Sequence, residues 1–445
     1  MSLVDHERIR SALAASQPLV VQGRIVRAAG LVLEAALPGV AMGTQCEILA
    51  PAGKVVHAEV VGFHSSTALL MPFGEVQGIR EGSAVIPRAA SSDLTVGPQL
   101  LGRVVDAGMR PLDGGPIPLL RSHVPLQARP PAAMSRRRIT DPLPLGIRSI
   151  DAFLTVGEGQ RIGIFSGAGV GKSVLLGMLA RSAEVDVVVM GLVGERGREV
   201  REFVERDLGL DGLARSVVVV ATSDEPPLIR IRAAMAATTV AEYFRSRGKR
   251  VLLLLDSLTR VAMAQREIGL AVGEPPTSKG YPPSVFALMP KLLERAGNDA
   301  GAGSMTAIYT VLAEGDDLND PVVDTARSIL DGHIVLSRKL AGAGHFPAVD
   351  LLSSVSRVMT EVADPRHLDL ARSARQALST YREAADLIDV GAYAAGSNPK
   401  VDQAIRLMPA LDAFLRQEPA DRTPLDQTLA RLASVLRAGE EGGSA

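Results

Sequence analysis

At 445 residues and 47% hydrophobic, the chain can bury a large core spread over two or three domains. A net charge of −1, 3% aromatic residues and no tryptophan argue against a nucleic-acid partner, which calls for a basic excess and stacking rings. The single cysteine, Cys46, excludes an intrachain disulfide and points to a reducing compartment. No run approaches the roughly 18 apolar residues of a membrane span.

The first stretch, residues 1–18, reads as a short amphipathic helix with Leu3, Ile9 and Leu13 on its apolar side; its mixed charges are not those of a signal peptide. Residues 19–90 are short alternating runs cut by turn signals at Gly30, Gly39, Gly53, Gly74 and Gly82, which predicts a small β-barrel or sandwich. Cys46 falls in one of these runs as a buried, inert thiol.

Residues 91–363 change to an α/β pattern. Apolar runs at 161–165, 186–193, 216–221, 250–255, 304–311 and 333–336 read as strands covered on both faces, hence a mostly parallel sheet. Helical stretches at 172–182 and 227–246 lie between them, and a Pro- and Arg-rich connector (QARPPAAMSRRRITDPLPLG) precedes the first. Residues 364–439 read as helices, the last ending at Gly439, with 440–445 as a tail.

The chemistry begins at SGAGVGKS, Ser166 to Ser173. A strand, a glycine-rich loop and a helix place backbone N–H groups and a helix N-terminus around phosphate. Gly167, Ala168, Gly169, Val170 and Gly171 form the cradle, with Val174 following. Lys172 reaches the β- and γ-phosphates, and the Ser173 hydroxyl ligates Mg²⁺. Ser166 stands where the strict pattern opens with Gly. VLLLLDS ends a buried run in Asp256, a second metal carboxylate. MGLVGERGREV ends another in Glu195, placed to orient an attacking water. The histidines lack metal-ligand spacing and no zinc is expected.

GERGREV after SGAGVGKSVLLGM, then VLLLLDSLTRVAMAQREIGLAVGEPP, KGYPPSVFALMPKLLERAGN, YTVLAEGDDLNDP, SILDGHIVLSRKL and SVSRVM, resembles the flagellar protein-export ATPases. These belong to the rotary-ATPase-like hexamers, and the likeness runs from about residue 20 to 415. It implies an N-terminal β-barrel, a RecA-like P-loop nucleotide domain and a C-terminal helical domain. It also implies ATP and Mg²⁺ as substrate and cofactor. By matching position, Glu195 is the catalytic glutamate and Arg196 a phosphate-side arginine. Glu199 lies near the metal's water shell, and Arg357 is the arginine finger offered to a neighbouring subunit. Phe346 falls where relatives stack an aromatic on adenine, and Asp316, Asp317 and Asp320 lie in a loop that relatives turn toward the ring's centre.

The resemblance implies a homohexamer in the cytoplasm, held at the inner membrane at the flagellar base through partners. Those partners are a regulator, a stalk protein, the export gate, chaperones and export substrates. GVGKSVLLGM and GAYAAGSNPKVDQAI favour the flagellar machine; the ATPase of a virulence injectisome is the near alternative. A Rho-like RNA helicase is more distant, since it needs a basic, aromatic RNA platform that the composition lacks. A ring subunit of purely structural duty is opposed by Glu195.

Overall fold

In the computed structural model the described residues are 22–88, 93–313 and 320–441, and they divide into two compact units. The expected N-terminal helix, Asp316 and Asp317 lie outside them.

The first unit is built on six strands: β1 (Gly23–Ala29), β2 (Val32–Ala36), β3 (Gln45–Leu49), β4 (Val55–His64), β5 (Thr67–Pro72) and β6 (Ala84–Pro87). They close antiparallel into a barrel in the order β1-β2-β5-β4-β3-β6. Alternation makes the barrel, because Cys46 and Ile48 of β3 and Val56, Ala58 and Val60 of β4 point inward while the residues between them face out. Cys46 is 1% exposed, and burial pushes its thiol up to about 11. The barrel alternative read from the sequence is therefore the correct one.

The second unit holds β7 (Asp93–Val96) and β9 (Ser122–Pro125), paired with each other, and an eight-stranded sheet. Its strands are β8 (Arg103–Val105), β10 (Arg161–Ser166), β11 (Val187–Glu195), β12 (Ser216–Thr222), β13 (Arg250–Asp256), β14 (Ser304–Leu312), β15 (Gly332–Leu336) and β16 (Val355–Ser356). They run β16-β15-β10-β14-β13-β11-β12-β8, and all pairs are parallel except β15 with the edge strand β16. The six central strands are the apolar runs of the sequence; five are buried on both faces, and β15 alternates buried and half-buried residues. The two edges, β8 and β16, were not expected: runs of three and two residues carry no periodicity.

Helices cover the sheet. A short helix α1 (Arg148–Phe153) precedes β10, α2 (Lys172–Ser182) follows it, and α3 (Pro227–Arg245) starts with proline at its first turn. The chain ends in three helices, α4 (Pro365–Asp389), α5 (Pro399–Leu415) and α6 (Leu425–Glu441). Asp364 and Asn398 cap α4 and α5 by accepting from the N–H of His367 and Lys400. These helices share the core of the sheet domain, where Phe414 meets Phe153 edge to face. The helix α6 passes through Gly439 instead of ending there; glycine weakens a helix by only about 1 kcal/mol and glutamates follow it.

Candidate active site

Parallel sheets bind ligands outside the carboxyl ends of their strands. Here β10 ends at Ser166, β11 at Glu195 and β13 at Asp256. From Ser166 the loop 167–171 turns into α2, with Gly169 and Gly171 at φ of 77° and 84°, the left-handed region that glycine takes without strain. Lys172 is the first residue of α2 and Ser173, the next, is exposed. Ser166 is buried, and its hydroxyl has no hydrogen-bond partner among the described residues.

The Lys172 ammonium lies between two carboxylates. It donates to Asp256 Oδ1 at 2.5 Å and stands 3.6 Å from Glu195 Oε1. All three side chains are largely buried, at 13%, 5% and 18% exposure for Lys172, Asp256 and Glu195. Asp256 Oδ1 also accepts from the Thr310 hydroxyl of β14 at 2.6 Å. Burial opposes the charge on Lys172, but the two carboxylates outweigh it and hold its pKa above the ordinary lysine value. Burial and the neighbouring Asp256 charge push Glu195 up to about 7, against the pull of Lys172. That is the range in which a carboxylate exchanges protons at neutral pH.

The aim of Glu195 comes from a break in the ladder. Leu192 is level with Asp256, and the pairing of β11 with β12 slips between Val193 and Glu195. Gly194 sits there at φ 72°, and a Cβ on it would lie 2.8 Å from the Arg260 side chain, so only glycine fits. Arg260 is thereby stacked on the backbone beside Glu195, and its buried Nε has no partner among the described residues. Neither Thr310 nor Arg260 was singled out from sequence. A threonine inside an otherwise apolar strand was the available signal for the first, and Arg260 had none beyond its nearness to Asp256.

A cleft of about 540 Å³ opens beside the loop. Its walls are Gly169, Val174 and Met178 on one side, Phe346 across them, and the irregular segment 416–421 on the third. Phe346 is 44% exposed, and its ring lies 3.2 Å from where a Cβ on Gly171 would be. A half-exposed aromatic face above a phosphate loop, with apolar walls, fits a flat base. The loop, Lys172, the exposed Ser173 and the buried Asp256 fit a magnesium-bound triphosphate. Mg²⁺ takes only one or two protein ligands besides phosphate and water, so no cluster of three acidic or histidine ligands is required.

Other expected residues lie farther out. Arg196 is exposed and pairs with Glu199 at 3.8 Å; Glu199 reaches Glu195 from the same short helix, Gly197–Glu202. Arg357 is not near the loop of its own chain. Its N–H donates to Asp331 O at 3.0 Å, and the Asp331 N–H donates to Arg161 O, at the start of β10. β10 has six residues, so its ends are roughly 16 Å apart. Arg357 is exposed there, and its side chain donates to Arg327 O at 3.4 Å.

Loop, lysine and strand-end carboxylates define a P-loop nucleoside triphosphatase on a RecA-like sheet. Family models agree along the chain: the ATP synthase alpha/beta family nucleotide-binding domain matches residues 146–356 and its beta-barrel domain 25–88. The type III secretion EscN ATPase C-terminal domain matches 363–434. The flagellum-specific ATP synthase of Bacillus subtilis is 52% identical over 93% of this chain and 94% of its own length. The type 3 secretion system ATPase of Xanthomonas euvesicatoria is 50% identical over 93% of each. Among solved structures, the assembled ATPase EscN of enteropathogenic E. coli, in complex with its central stalk EscO, superposes with a TM-score of 0.86 at 44% identity. That match covers 93% of this chain and 100% of EscN. The chain belongs to the ATP synthase alpha/beta family, with the flagellum-specific ATP synthases and type III secretion ATPases, and it is an ATP hydrolase.

Proposed function

We propose that this chain drives flagellar protein export by hydrolysing ATP where two copies meet in a homohexameric ring. The observation that carries the composite site is the separation of its parts. Lys172, Asp256 and Glu195 converge at one end of the strands, while Arg357 is exposed at the other end, out of reach of its own loop. A surface that must meet a different surface of an identical copy generates a ring when the rotation closes. The relative EscN assembles and binds a stalk, which supports self-association and a stalk partner here.

In this reading the backbone of residues 167–171 and the Lys172 ammonium hold the β- and γ-phosphates, and Phe346 stacks on adenine. Ser173, and Asp256 through water, would hold Mg²⁺, and the ion would neutralise charge on the phosphates. Lys172 exchanges its carboxylate partners for phosphate oxygens. Glu195, relieved of that ion pair, orients a water in line with the γ-phosphate and accepts its proton. Arg357 of the neighbour and Lys172 stabilise charge on the transferring group. Glu199 and Arg196 flank the water shell. Asp320 caps the helix Pro321–Ile329, its side chain accepting from the Val322 N–H.

No described helix is long and apolar enough to cross a membrane. In this reading attachment at the inner membrane runs through partners: the regulator, stalk and export gate, with chaperones and substrates arriving there. The injectisome reading keeps its place because the relative from Xanthomonas is almost as similar. Two measurements test the proposal. Specific ATPase activity should climb steeply with protein concentration; a strictly monomeric sample of full activity overturns the composite site. Expression in a flagellated host lacking its own export ATPase should restore motility, and restoration only of effector secretion in an injectisome host would reassign the machine.

A further inference from the structure

We infer that Arg148 is a positioning residue for nucleotide binding: it holds the wall of the base cleft contributed by the helical region. Arg148 opens α1 and is only 6% exposed. A buried guanidinium must have its donors satisfied, and the partners it finds run from Phe414 near the end of α5 to Thr423, across the irregular stretch between α5 and α6. Nε donates to Phe414 O at 2.8 Å, Nη1 to the Thr423 hydroxyl at 3.3 Å, and Nη2 to Arg416 O. Nη1 also stands 3.8 Å from the Asp421 carboxylate. The backbone N–H of Arg148 donates to Gln417 Oε1 at 2.8 Å.

Gln417, 4% exposed, completes the clamp. Its Nε2 donates to Gly146 O at 2.8 Å and to Asp421 O at 3.1 Å, and its N–H donates to Phe346 O at 2.9 Å. The same segment that Arg148 grips is therefore bonded to the backbone of the aromatic residue above the loop. The other side of the grip is hydrogen-bonded as well. The fully buried Asp151 carboxylate accepts from the N–H groups of Leu145 and Gly146, both at 2.8 Å, fixing the turn to which Gln417 is tied.

Residues 416–421 have no helix or strand of their own, yet they form the third wall of the cleft. Their position is set by side chains from the sheet domain: Arg148, and Arg181 of α2, which donates to Pro419 O at 2.7 Å. The cleft width available to a base follows from those contacts. None of these hydrogen bonds is made by residues 166–173. Arg148 should accordingly govern how tightly the nucleoside is held and leave the reaction at the γ-phosphate alone.

The inference rests on the cleft beside Phe346 being the base site. Steady-state hydrolysis of ATP by the full-length chain, at a protein concentration where specific activity has levelled off, tests it. Inhibition by magnesium tripolyphosphate, a ligand without a base, is measured beside it. Arg148→Met is expected to raise KM for ATP about tenfold, to keep kcat within about threefold, and to keep the tripolyphosphate Ki within about twofold. Arg148→Lys and Thr423→Val are expected to raise KM by about threefold, and they carry the test if the methionine variant does not fold. An unchanged KM in these variants, or a KM that rises in step with the tripolyphosphate Ki, overturns the inference. Phe346→Ala separates the two readings. If it leaves KM unchanged, the base site itself is misplaced. If it raises KM and the Arg148 variants do not, only the role of Arg148 fails.

Discussion

The two ends of the nucleotide site are made in opposite ways. The phosphate end is one contiguous stretch, Ser166 to Ser173, joined by residues at the tips of neighbouring strands. The base end draws Phe346 from one loop, residues 416–421 from another, and Arg148, which lies 269 residues from the Gln417 it binds. On the proposed reading the phosphate end would bind with backbone N–H groups, which calls for glycines at fixed places, and the base end would bind with shape, which many side chains can supply. Charge and chemistry would then be concentrated at the first end, and affinity for the nucleoside at the second.

The sharpest break in that comparison comes from Arg357, which belongs to neither end of its own site. Arg357→Ala is expected to lower kcat by about 10³-fold with ATP binding nearly kept. Mixing it with Lys172→Ala chains should restore part of the activity, since some junctions then pair an intact loop with an intact arginine. Mixed preparations no more active than either parent would show that the arginine does not act across subunits. Its exposure means that the melting temperature should hardly move.

At the phosphate end, Glu195→Gln should cost about 10²–10⁴ in kcat while fluorescent-nucleotide affinity stays within severalfold. A variant that hydrolyses normally would remove Glu195 from the chemistry. At the base end, Phe346→Ala should weaken ATP by about tenfold, the effect of losing one stacking face, and leave kcat near its starting value. Equal losses in kcat from both variants would erase the division of labour between the ends.

The smallest effect concerns pH. Folded Glu195 titrates near 7, above the ordinary glutamate value of 4.5, because burial and Asp256 disfavour its charge. Between those two values the folded chain retains a proton that the unfolded chain releases. Glu195 thus contributes stability below about pH 4.5 that is lost as the pH rises through 7. The melting temperature of the nucleotide-free Glu195→Gln chain should fall less between pH 5 and 7.5 than that of the parent, by roughly 2–3 °C. Calorimetry across that range decides it; an identical slope would mean that Glu195 titrates as it does in water.

Legibility follows the same split. Five of the six central strands stood out because burial on both faces leaves long apolar runs; the half-buried β15 stood out by its short apolar run, and the structure places each of the six within two residues of its expected limits. Lys172, Asp256 and Glu195 were legible because each ends such a run or opens the helix after it. Thr310 was hidden by lying within a run, since it gains meaning only from the register of β14 against β13. The segment 416–421 reads as a polar turn between two helices, and nothing local in QEPAD marks it as a wall of the cleft. Arg148 carries no local signal in the sequence; its burial is a property of the assembled domain.

The placement of Arg357 at the far end of the strands has a numerical consequence. If hydrolysis occurs only at junctions, an open arc of subunits has one working site fewer than it has chains. The loop left at its end can take up ATP and keep it unbroken. Closing the last gap adds a single site, yet it also removes the only place where bound nucleotide waits. A population of arcs and a population of closed rings would then differ less in their rate per chain than in how long they hold ATP.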